Sequence, residues 1–106
     1  MTPQQRLASY RRSLAIERDN AALASYAREH HLAEARVVVE RGDVPETVAH
    51  HRGQALILAK VERASRLRIA WYGEAIAALE AGTEPGPYGV EHDVEAGDEL
   101  GMRVGG

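Results

Sequence analysis

Two histidine pairs, His30-His31 and His50-His51, have a residue type and spacing that could do chemistry. His30 and Glu34 stand four residues apart, as do Glu46 and His50, so in a helix each of these imidazoles has a carboxylate one turn away. Imidazoles and carboxylates projecting from facing helices can ligate zinc or iron, and His30, Glu34, His50 and His51 form the candidate set. The di-iron bundle signature Glu-x-x-His is absent, and His31-x-x-Glu34 runs in the reverse order. Ordinary hydrogen bonding of half-exposed polar residues near a turn explains the same pattern, so the expectation is no metal and no cofactor.

Arginines are the second candidate chemistry. Arg6, Arg11 and Arg12 cluster early in the chain, and Arg63 and Arg66 follow later. On a basic protein they would point to phosphate contacts. Here acids are interspersed and the net charge is −3, so a solvated helix face is expected and nucleic acid is not an expected partner. There is no Gly-rich phosphate loop, no Gly-x-Ser-x-Gly and no His-Glu-x-x-His. No enzyme activity is expected.

The elements that must position these residues are two helices. Thr2-Pro3-Gln4-Gln5 is a helix start, with Thr2 as cap, Pro3 in the first turn and Gln5 completing a capping box. No Pro or Gly follows until Gly42, so a helix over about 3–41 is expected, with a possible kink at Asp19-Asn20. Asp43-Val44-Pro45-Glu46 reads as a second capping box, opening a helix over about 44–81 that Gly82 closes. The connector is so short that the helices must fold back antiparallel. The fold class is therefore all-α, a long two-helix hairpin.

That geometry predicts a register. With the turn near Gly42, facing residue numbers add to about 85. The apolar stripe of the first helix runs through Leu7, Tyr10, Leu14, Glu17, Ala21, Ala24, Arg28, Leu32, Ala35 and Val39. That of the second runs through Leu58, Val61, Ser65, Arg68, Tyr72, Ala75 and Leu79. Each stripe carries a charge in its middle, and the register predicts an ion pair between Glu17 and Arg68 on the seam.

Each helix also has apolar residues off its stripe. Ile16, Leu23, Val37 and Val38 on the first, with Leu56 and Leu67 on the second, are expected to form an oligomer interface, because a hairpin cannot bury both faces of either helix. The composition agrees. There are 18 Ala, one Trp and no Phe, so helix forms readily but large core side chains are few. There is no Cys, hence no disulfide and no thiolate metal site.

Composition changes at Gly82. Residues 1–81 carry 12 basic and 10 acidic side chains, whereas residues 82–106 carry one Arg and six acids. The chain thus divides into a helical hairpin, 1–81, and an acidic Gly/Pro-containing arm, 82–106. The arm is expected to be extended or a small β-hairpin, and to contact a neighbour through Tyr88, Val90, Val94, Leu100, Met102 and Val104.

The longest uninterrupted apolar run, Ala55 to Ala59, cannot span a membrane, and Met1 to Arg12 has no apolar signal region. The expected location is the cytoplasm, or a virion assembled there. Arg outnumbers Lys 12 to 1, a usage typical of a GC-rich genome. The expected function is a non-enzymatic structural or assembly protein, a homo-oligomer or a subunit of a larger assembly such as a phage virion. The alternatives are a metal-binding helical-bundle dimer and a small regulator of nucleic acid or a host protein.

Overall fold

A computed structural model describes residues 1–88. It contains two helices, α1 (Pro3–Glu40) and α2 (Pro45–Glu80), packed antiparallel along their whole length. The segments with a β-hairpin pattern, and Val90, Val94, Leu100, Met102 and Val104 with them, lie outside the described residues.

Local chemistry sets each end. The Thr2 hydroxyl accepts from the Gln5 N–H at 3.1 Å, and the Gln5 side chain accepts from the Thr2 N–H at 2.8 Å, closing the capping box. α1 then runs without a break through Asp19-Asn20. It ends in a Schellman turn, in which the Gly42 N–H reaches Val39 O and the Asp43 N–H reaches Val38 O. Gly42 has φ +74°, where a Cβ would be strained. α2 ends the same way, with Gly82 at φ +76° and the Thr83 N–H on Ala78 O at 2.8 Å.

The start of α2 differs from the expected capping box. Pro45 is the first helical residue, and a residue before proline is pushed to extended backbone. Val44, at φ −62° and ψ 147°, is therefore the N-cap and supplies no side-chain cap. Asp43 already serves the Schellman turn of α1, and its carboxylate takes the Arg41 guanidinium at 3.2 Å.

The seam follows a 3-4 heptad rhythm over its central part. In α1 it passes through Ala21, Ala24, Arg28, His31, Ala35 and Val38, and in α2 through Ala55, Leu58, Glu62 and Ser65, after which the spacing shifts to reach Arg68 and Ala75. This corrects the expected stripes at three places. Val38, expected in an oligomer interface, is 2% exposed in the hairpin's own core, and its neighbour Val39 is 50% exposed. His31 takes the seam position expected for Leu32, and Glu62 the one expected for Val61. At His31 and Glu62 a polar residue holds the seam beside an apolar neighbour, because the backbone keeps the period.

The buried hydrophobic residues are Ala21, Ala24, Ala35, Val38, Ala55 and Ala75, joined by Ser65 at 1% exposure. Such small side chains let two helices approach to the short end of the usual 8–10 Å range. The described part is about 60 Å long but only 17 Å thick, a single layer of two helices.

Close approach makes the seam intolerant of bulk. Ala21→Leu is expected to destabilise the fold by about 1–3 kcal/mol through overpacking. Leu at exposed Ala22 should change it by less than about 0.5 kcal/mol. Urea unfolding followed by helical circular dichroism distinguishes the two; equal midpoints would mean that the seam is not closely packed.

Candidate functional site

Three polar layers cross the Ala-rich seam. In the first, Arg68 Nε lies 2.9 Å from Glu17 Oε1, and Arg68 Nη2 donates to Ser65 Oγ at 3.2 Å. The second Glu17 oxygen is buried without a hydrogen-bond partner.

In the second layer Glu62 accepts from two arginines, one on each helix. Arg28 reaches its Oε1 at 3.1 Å, and Arg66 reaches its Oε2 at 2.7 Å. The Glu62 carboxyl is held below its ordinary value of 4.5, first by the Arg66 hydrogen bond, against desolvation, with Arg28 adding to it. Sequence reading missed this layer, and the signal that could have found it is the heptad rhythm carried through an acid.

The third layer is the histidine cluster. His31 Nδ1 and His51 Nδ1 are 3.0 Å apart, so at most one of them carries the proton they share. His50 and His30 stand against the same pair, with ring centroids 6.5 and 5.7 Å from His31. The His31 pKa is lowered from 6.5, first by desolvation and then by repulsion from His51, His30 and His50, while Glu34 pulls the other way. The cluster thus centres on His31, which lies outside the expected metal set of His30, Glu34, His50 and His51. Among the described residues no three His, Asp or Glu side chains are arranged to hold a metal ion.

At the far end of the hairpin an aromatic group gathers. Tyr10 packs on Trp71 and Tyr72 at 5.6 and 5.8 Å between centroids, and Trp71 meets Tyr88 at 6.0 Å. Residues beyond Gly82 return to this end. Arg6 holds Glu84 through two hydrogen bonds of 3.0 and 2.8 Å, and the Trp71 indole N–H donates to Gly86 O. The segment up to Tyr88 therefore packs on the hairpin, and contact with it continues past the compositional boundary at Gly82.

The residues expected at an oligomer interface do not share one face. The contacts of Arg68 with Glu17, and of His50 with His31, put Ile16, Leu23 and Val37 on the same side of the hairpin as Ile57 and Val61. Leu56 lies on the opposite side, in a groove of about 250 Å³ with Arg28, Lys60, Arg63 and Arg66. Leu67 lies at the back of α2 and is half-buried, and Val38 is in the seam. Among the described residues no helix is long and apolar enough to cross a membrane. No protein-family model matches the chain, and no curated protein or solved structure matches it.

Two of the polar layers generate predictions. The unfolded chain protonates His31 at its ordinary 6.5 and the folded chain resists, so this contribution is complete above 6.5 and declines as the pH falls below it. Wild-type unfolding free energy should therefore drop between about pH 7 and pH 5.5, and His31→Asn should flatten that drop. A profile unaffected by His31→Asn would assign the acid response elsewhere. Glu62→Gln removes the charge between Arg28 and Arg66 and should cost about 1–3 kcal/mol, less than a fully buried pair because Arg66 reaches water. Denaturant titration at neutral pH reads this directly.

Proposed function

We propose that this chain is a non-enzymatic structural or assembly protein, a helical hairpin that associates with further copies of itself and carries an acidic arm for contact with a neighbouring subunit. One observation carries this reading. The fully buried positions of the seam are mostly small side chains, while several large ones remain in solvent, with Leu23 at 67%, Ile16 at 59%, Ile57 at 53% and Val61 at 45% exposure. Burial of apolar area stabilises by roughly 25 cal/mol per Å², and ordering each residue costs about 1–2 kcal/mol of conformational entropy. A single layer that only half covers most of its large apolar side chains gains by covering its exposed Leu, Ile and Val.

The arm supports the same reading. Its charge is opposite to that of an arginine-bearing helix face, and its first residues, through Glu84 and Gly86, are tethered to the aromatic end of the hairpin. The Arg-rich, Lys-poor residue usage is the support for a subunit of a particle encoded by a GC-rich genome, and a small component of a phage virion is the narrower form of the proposal.

Sedimentation equilibrium of the full chain is the test. The mass should be a multiple of 11.6 kDa at micromolar concentration, and the unfolding midpoint should rise with concentration. A fully helical species of single-chain mass with a concentration-independent midpoint would overturn the proposal.

A further inference from the structure

We propose that the hairpin pairs with a second copy of this chain through the broad face that carries Leu23 and Val61, and that His30 and His50 within that face make the pairing weaken in acid. The proposal rests on the self-associating reading above and names its surface and its regulation.

The hairpin is one layer thick, so it offers two broad faces, and they differ in kind. On the first, one helix contributes Ile16, Leu23 and Val37 at heptad spacing, and the other contributes Ile57 and Val61. The remaining positions of its central stretch are Asn20, Ala27, His30 and Glu34 on α1 and His50, Gln54 and Ala64 on α2. Glu34, near the Val37 end, is the one formal charge among them at neutral pH. On the second face Arg28, Lys60, Arg63 and Arg66 line a groove with Leu56 and the single acid Glu62, and Arg36 and Arg52 line a further groove.

Twofold pairing sets a face against its own copy. The basic face would meet itself with like charges opposed, a repulsion that deepens as water is excluded. The apolar face meets itself with only one acid per copy. Its extent is also adequate. The stretch from Ile16 to Val37 is about 30 Å long at 1.5 Å per residue, and two helices side by side are about 20 Å wide. That gives roughly 600 Å² per copy and about 1,200 Å² in all, at the lower bound of stable protein interfaces. Its five large apolar side chains are all exposed in the single hairpin.

The histidines lie within this geometry. His30 occupies the same heptad position as Leu23 and Val37, and His50 the same position as Ile57. Both are exposed in the single hairpin and would be covered in the pair. They are faced by His31 and Glu34 from α1 and by His51 from α2. Covering the face removes the water that stabilises an imidazolium, so protons must leave on pairing and acid opposes it.

The chain has no Cys, so a single introduced thiol reports one position cleanly. Leu23→Cys should cross-link two chains under mild oxidation at neutral pH, and Leu56→Cys should not. In sedimentation equilibrium Leu23→Glu should weaken pairing at least about a hundredfold and Leu56→Glu should leave it unchanged. Wild-type pairing should weaken at least about tenfold from pH 7.5 to pH 5.5, and His30→Gln with His50→Gln should remove that dependence. If the wild type associates but cross-links through Leu56→Cys alone, the face is wrong and the assembly reading stands. If the face is right but acid leaves pairing unchanged, the imidazole role is overturned. A wild type that stays a single chain overturns both.

Discussion

The smallness of the side chains along the α1–α2 seam is the constraint on which the rest of this structure depends. Ala21, Ala24, Ala35, Ala55, Ala75 and Ser65 let the helices lie close together, and Val38 is the one large apolar side chain fully buried among the described residues. Other large apolar residues lie half-covered or on the flanks. An alanine-rich interior has high helix propensity but modest transfer free energy, so the secondary structure is strongly specified while the tertiary contact is weakly driven. That imbalance links a local property of the sequence to a requirement for further association.

A seam of near-identical methyl groups also carries little information about register. The polar layers provide it. A slip of one heptad in one direction would place Glu17 against Val61 and Arg28 against Ala55. The opposite slip would set Glu17 against Ala75 and Arg28 against Ile69. Either error leaves buried charge without a partner, which costs more than the correct pairs contribute. The short turn acts in the same sense, because Gly42 at positive φ and Pro45 in the first turn fix where one helix stops and the next begins.

Much of the fold is legible in the sequence. Helix limits follow from Thr2, Gly42, Pro45 and Gly82, and antiparallel packing follows from the short connector. What sequence reading misplaces has a common cause. Hydrophobicity marks Leu32, Val39 and Val61 as interior, yet His31, Val38 and Glu62 hold the seam positions. A stripe chosen residue by residue drifts toward the nearest apolar side chain, whereas the backbone keeps its 3-4 rhythm and satisfies a polar residue there by pairing it across the seam. The oligomer-face assignment suffers from the same drift. Leu56 and Leu23 look alike as off-stripe residues, and only the rotation fixed by Glu62 and His31 shows that they stand on opposite sides of the hairpin.

The two sides then acquire different physics from one arrangement. Glu62 enters the seam and draws Arg28 and Arg66 towards one face, where Arg63 and Lys60 also lie, so that face becomes basic. The other face carries one acid, Glu34, and otherwise uncharged residues over its central stretch. The imidazoles there adjoin His31 and His51, whose Nδ1 atoms share one proton at a 3.0 Å separation. Hairpin folding and coverage of the apolar face therefore respond to acid in the same direction, because each requires neutral imidazole in a place where water is displaced. A cation on that face would resist burial at every pH; an imidazole resists it only when protonated, which makes the same surface compatible with an interior at neutral pH and with solvent in acid.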